Sequence, residues 1–230
     1  PPVCAPRDIP GCVDDEIPPW EDTDCSVVIN ASGEKDETID SGIDIGGAVD
    51  ITTDDEVTVT HHGSVTDYFR IDTSGETTFS MSSGSTIGGP LQLSTTGEVT
   101  ADLNGSIGEG VCAEEAGKLD VSVDGGSVNG PMSLGSSDEV SLEIAGDSSI
   151  EGDLTIRTDS AVEIEVGGSS TVSGDVLIDT GGEVEVELGG GTSVEGDLTV
   201  ENASDVEIEV GESSTVSGDV LIDTGGEVEV

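Results

Sequence analysis

Short runs of alternating apolar and acidic residues recur along the chain. Val176-Leu-Ile178 and Val184-Glu-Val186-Glu-Leu188 are typical. Alternation with period two, built from Val, Ile and Leu on one face and acid on the other, predicts half-buried strands. No segment places apolar residues at i, i+3 and i+4, and the richness in Gly, Ser, Thr, Asp and Val also opposes helix. Gly pairs and Ser/Thr/Asn/Asp clusters separate the runs, where turns call for positive φ or side-chain-to-backbone hydrogen bonds.

The runs are periodic. Val206–Val230 repeats Val162–Val186 with a single difference, Glu212 in place of Gly168, and a looser copy lies between them. The unit is therefore about 22 residues long, within the range of solenoid repeats. A marker of one apolar residue, one linker residue and Gly-Asp recurs at Val172, Val194 and Val216. Weaker copies begin at Ile150, Val128, Ile107, Ile87, Val65 and Ile45, in steps close to that same length. Four residues after each marker an apolar residue opens a strand: Val49, Phe69, Leu91, Val111, Met132, Leu154, Val176, Leu198 and Val220. Val27 extends the series backward to about ten coils.

A tandem unit too short for a helical crossover can only stack each strand on its equivalent in the next coil. The predicted fold is therefore all-β, a parallel β-solenoid (β-helix) with a repeat of about 20–22 residues. The lone marker apolar is expected to point inward from a third, shorter side, giving a roughly triangular or flattened cross-section. Ten coils about 4.8 Å apart make a rod of roughly 48 Å. Residues 25–230 form the repeat domain, and residues 1–24, rich in Pro and Cys, form an N-terminal cap or docking segment.

Charge changes the picture next. Fifty-one acids against five bases give a net charge of −46, which excludes nucleic acid and anionic membrane surfaces as partners. High acidity with few aromatics is also the composition of disordered chains, but the regular alternation over residues 27–230 argues for order. Acids alone also fit a merely soluble surface in a salty habitat. The first residue is Pro rather than Met, which points to processing, and no signal peptide or membrane-spanning run is expected within the chain.

Four cysteines, Cys4, Cys12, Cys25 and Cys112, suggest disulfides and a secreted or cell-surface setting. Cys112 shares its repeat position with Thr155 and Leu177, so it is expected to face outward, exposed. Cys25 opens coil one and Cys112 lies in coil five, roughly 19 Å along the axis, too far for a direct bridge. Cys4–Cys112 with Cys12–Cys25 is the first pairing to consider. Exchange of Cys4 and Cys12 comes next, and a bond to a neighbouring subunit is the third possibility. Three of four asparagines, Asn30, Asn104 and Asn202, lie in Asn-X-Ser sequons at predicted turns and are glycosylation candidates.

The outward residues of the longer strand form columns, Glu163, Glu185, Glu207, Glu229 and beside it Glu143, Glu165, Glu187, Glu209. Like charges one coil apart repel by roughly 0.9 kcal/mol in water, and such contacts between neighbouring strands are destabilising. A further outward column, Asp153, Asp175, Asp197 and Asp219, is expected to add to the field. Divalent cations would relieve it, because calcium accepts several carboxylate oxygens. The expected array is weak and distributed, since the Gly-Gly-X-Gly-X-Asp calcium nonapeptide is missing. A cationic polymer is the other ligand such a face fits.

Catalysis is not expected. The five bases (Arg7, Lys35, Arg70, Lys118, Arg157) share no repeat position, and no nucleophile motif, phosphate loop or CxxC occurs. His61-His62 reads as a surface pair in a turn. The flat threonine arrays of an ice-binding face are expected to be absent, with Thr52, Thr155 and Thr199 scattered. The chain stops at Val230 in mid-coil without a polar cap, so either a longer chain continues or another subunit stacks there.

In the residues that define each coil (I/V-x-G-D-L/V-x-I/V, then V-E-V-E-V), the chain resembles bacterial surface β-solenoids of the adhesin and autotransporter-passenger type. It has a fainter likeness to bactofilin filaments, whose solenoid cores polymerise end to end. The resemblance covers roughly residues 27–230 and transfers no functional residue. The cysteine-bearing opening and the acidity depart from the bactofilin pattern. Together these readings predict a non-catalytic extracellular rod, stalk or filament subunit that self-associates end to end. The alternative is a cation-binding or adhesive surface that uses the glutamate face.

Overall fold

The computed structural model describes residues 26–230. These residues form three parallel sheets wound around one interior, with strand order following the chain in each. Sheet one has ten strands, from Val27–Asn30 to Val220–Thr224. Sheet two has ten, from Lys35–Ile39 to Val228–Glu229. Sheet three has nine two-residue strands, from Asp44–Ile45 to Thr215–Val216. The solenoid thus has nine complete three-sided coils, numbered here from Val27, and a tenth without its third side. Nine interstrand steps of about 4.8 Å span about 43 Å. Among the described residues no helix is long and apolar enough to cross a membrane.

Every apolar marker sits on sheet three and faces inward, from Ile45 at 0% exposure to Val194 at 2%. The expected triangular section follows, because one inward residue per coil suffices for the short side. On sheets one and two the period-two alternation becomes inward ladders of Val, Ile and Leu, buried for most of the length of the rod. Bulk is concentrated in coil 3, where Phe69 and Phe79 meet edge to face with ring centroids 5.2 Å apart. Ala101, the residue after Phe79 in its column, leaves room for that ring.

Coil corners are held by side chains as well as backbone. Between sheets one and two an inward Thr or Ser recurs: Thr53, Thr73, Thr95, Ser136, Thr158, Thr180 and Thr224. The hydroxyl donates to a turn carbonyl of the preceding coil, as Thr53 does to Gly33 (2.8 Å), Ser136 to Gly117 (2.6 Å) and Thr180 to Ser160. The same oxygen accepts the N–H two residues on, as from Gly97 to Thr95 (2.9 Å) and Gly182 to Thr180 (3.0 Å). One side chain therefore satisfies a carbonyl and an amide that the turn would otherwise leave without partners. Coils 5 and 9 carry Ala116 and Ala203 at this corner. There sheet one shifts register, and Glu115 and Asn202 take φ of 67° and 62°.

Candidate functional site

The predicted glutamate columns are in register on the outer face of sheet two. Glu163, Glu185, Glu207 and Glu229 align, as do Glu143, Glu165, Glu187 and Glu209. All eight are exposed. Parallel pairing with no slip, enforced by the buried residues between them, puts like carboxylates one coil apart. Among the described residues no group of three or more His, Cys, Asp or Glu side chains converges as a metal site. The acids form an open two-column face, and the chemistry it offers is a repeating negative field.

The aspartate column plays a different part from the one expected. Asp153, Asp175 and Asp197 are exposed, but each Oδ1 accepts the backbone N–H of its equivalent one coil on. The distances are 3.0 Å to Asp175, 2.9 Å to Asp197 and 2.8 Å to Asp219. These carboxylates tie coil to coil at the corner between sheets three and one. The tie also explains the glycine before each aspartate. A Cβ on Gly174 would meet Asp153 Oδ1 and the Gly152 carbonyl at 2.5 Å, so only glycine lets the carboxylate pass. The Gly-Asp marker is the imprint of this clasp. Its recurrence was legible in the sequence, but the reason for it was not.

Farther toward coil 1 the outer face of sheet two carries hydroxyls instead. Thr58, Thr78 and Thr100 stack in one column, and Thr38, Thr60 and Ser80 in the next. The expectation that stacked threonines are absent is therefore corrected. It considered sheet-one threonines, of which Thr155 and Thr199 do share a column with Leu177 between them. Coil length drifts in this part of the chain, the step from Ile45 to Val65 being shorter than the step from Val65 to Ile87, and this hid the sheet-two alignment. The column gives way to Asp120 in coil 5.

Two further expectations are corrected. His61 is not at the surface: it ends the strand Val57–His61, in the inward column between Ile39 and Met81, at 0% exposure. Its Nε2–H donates to the Thr86 carbonyl (3.1 Å), its ring lies 5.8 Å from that of Phe69, and Nδ1 is buried without a partner. Burial holds its pKa below the ordinary value, with the Thr86 bond opposing and His62 adding to the shift. The period-two rule places His61 inward, in step with Val57 and Val59. The polar residue type led the sequence reading away from it.

Cys112 does take the repeat position shared with Gln92, Ser133, Thr155 and Leu177, but it is only 5% exposed. It is not a free thiol. Cys4, Cys12 and Cys25 lie outside the described residues. Beside Cys112 a shallow groove of about 210 Å³ is lined by Arg70, Gln92, Ser94 and Glu114, next to the positive-φ Glu115. Arg70 is held there by Asp72 (2.8 Å) and Asp50 (3.6 Å), and burial raises the pKa of Asp50, with Arg70 opposing. Of the sequon asparagines, Asn30 is exposed at the end of its strand. Asn104 Oδ1 accepts the Asp124 N–H (3.3 Å), and Asn202 Nδ2 donates to Asp179 (2.8 Å).

In the first described coil two of the three inward positions of sheet two are charged: Lys35 stands over Val57 and Glu37 over Val59, the two pair at 3.3 Å, and the third, Ile39, is buried over His61. In coil 10 Val220 of sheet one and Val228 of sheet two are 50% and 48% exposed. No known family, curated protein or solved structure is similar enough to this chain to match it. The fold and its surfaces alone define the class, a parallel β-solenoid repeat protein.

Proposed function

We propose that the protein is a non-catalytic extracellular structural element, a rod that serves as a stalk or filament subunit and joins end to end through its solenoid edges. One observation carries the reading: a single continuous stacked interior, with three parallel sheets whose strands follow chain order coil after coil over the described residues. The cysteines support an oxidising, secreted or cell-surface location, with Cys112 tied to Cys4 or Cys12. Electron microscopy of the oxidised chain tests the reading. Particles joined along their long axis support it, and single rods at all concentrations and salts count against it.

A second reading is favoured by the slip-free alignment of exposed glutamates over successive coils. In it the face captures calcium or a cationic polymer at weak, repeated positions and acts as an adhesive surface. Calcium titration followed by heat capacity or thermal melting separates it from the first.

A further inference from the structure

We propose that the corner between sheets three and one, from coil 1 to coil 5, is a docking surface for residues 1–24, which lie along it as a strap fastened to Cys112 by a disulfide. Of the function proposed above, the inference takes only the tie of Cys112 to Cys4 or Cys12. Its failure would leave the end-to-end reading standing.

Burial marks the route. Ala48, Tyr68 and Cys112 are buried, at 0%, 4% and 5% exposure, without belonging to the apolar cluster of the interior. Ala48 and Tyr68 immediately precede the strand openers Val49 and Phe69, as Asp153 and Asp175 precede Leu154 and Val176, and those aspartates are exposed. Cys112 shares its outward column with Gln92 and Ser133, which are only half-buried. A tyrosine is larger than an aspartate, so at the same outer corner it loses its exposure only where other atoms cover it. Asp67, Tyr68, Gln92 and Glu109, on this corner and the strand beside it, each have a further partner.

The cysteines name the cover. Cys112 is disulfide-bonded, and the other three cysteines, Cys4, Cys12 and Cys25, all precede Ser26 in the sequence. Cys25 adjoins Ser26 in coil 1, four coils or about 19 Å from Cys112, whereas bridged Cα atoms lie within about 7 Å. Within one chain, Cys4 or Cys12 must therefore reach coil 5. Ser26 stands at the foot of the same corner: its Oγ accepts the Ala48 N–H at 3.0 Å, and Tyr68 follows one coil on. An extended chain covers about 19 Å in about six residues, and the stretch from Cys12 to Ser26 is more than twice that long.

Photocrosslinking of the full oxidised chain carrying Tyr68→p-benzoylphenylalanine tests this, with circular dichroism to confirm the fold. The expected crosslink joins position 68 to a residue within 1–24 of the same chain, and a non-reducing peptide map joins Cys112 to Cys4 or Cys12. Irradiation that gives no crosslink into 1–24, whether it reaches solenoid residues alone, a second copy or nothing, would overturn the strap. So would a bond from Cys112 to Cys25 or to another chain. The wild type supplies a second test that needs no variant, because Tyr68 is the only tyrosine in the sequence. Tetranitromethane should leave Tyr68 unreacted in the oxidised chain, and ready nitration would overturn the cover.

Discussion

Replacing Asp175 separates two effects of the aspartate column that act in opposite directions. Its Oδ1 accepts the Asp197 N–H at 2.9 Å, and a hydrogen bond to a charged acceptor contributes about 1.5 kcal/mol, the low end of its range, at an exposed site. Against this, the carboxylate stands one coil from Asp153 and one coil from Asp197. At about 4.8 Å each contact repels by about 0.9 kcal/mol in water before screening. With a Debye length of about 10 Å at 0.1 M salt, about 0.5 kcal/mol per neighbour remains, and at about 3 Å in 1 M salt only about 0.2.

Asp175→Ala therefore loses the bond and relieves the repulsion, a net loss of about 0.5 kcal/mol at 0.1 M and about 1 kcal/mol at 1 M. Asp175→Asn keeps an acceptor and drops the charge, so it is stabilising at 0.1 M and close to neutral at 1 M. For a domain of this size 1 kcal/mol is about 2–4 °C in Tm. Melting of the three proteins at both salt concentrations, each compared with wild type in the same buffer, reads the pattern directly. If Asn and Ala variants shift together in both salts, the carboxylate is not acting as an inter-coil acceptor and the explanation of the Gly-Asp marker fails.

Other substitutions probe other joints. Gly174→Ala drives a Cβ into Asp153 Oδ1 and the Gly152 carbonyl, and should lower stability by about 2 kcal/mol or more in a urea titration. Thr180→Val removes the donor to Ser160 and the acceptor for Gly182, and a loss of about 1–3 kcal/mol is expected; an unchanged midpoint would contradict the corner role. Glu115→Gly relieves a positive φ and should stabilise by up to about 1 kcal/mol. His61 is kept neutral by burial, so the folded state binds fewer protons than the unfolded one once pH falls below about 6.5. Its contribution is full above that pH and declines toward the lowered folded pKa, so the stability of His61→Met should gain on wild type by up to about 1.4 kcal/mol per pH unit across this window. Flat difference curves from pH 7.5 to 5 would refute the burial argument.

The solenoid was legible because its cause is local and repeated. Each strand opener from Val49 to Val220 had to be apolar to face the interior, and each marker had to be apolar to fill the short side. Register of the glutamates followed from the same period. What escaped the sequence depends on contacts between neighbouring coils that are made by small polar groups. Thr180 and Ser160, or Asp175 and Asp197, carry no pattern that distinguishes a corner clasp from a surface residue. Lys35 and Glu37 were equally silent, because a charged residue in an inward column looks like a break in the repeat until the register sets it over Val57 and Val59. His61 misled through its polar residue type, although alternation puts it inward with Val57 and Val59; Cys112 does hold the outward repeat position expected of it, but its burial depends on what packs over it.

All of this rests on equivalent residues standing one coil apart, in line, along the rod. The most direct check is a set of pulsed electron–electron distances between spin labels on one outer column of sheet two. Thr58→Cys would be paired in turn with Ser141→Cys, Glu185→Cys and Glu229→Cys, with the native cysteines left oxidised. These pairs lie four, six and eight coils apart. The stacked rod predicts distances rising in even steps, about 19, 29 and 38 Å between backbones. Distances that fail to rise with coil number, or that spread over a broad range, would contradict the stacked solenoid and every function read from it.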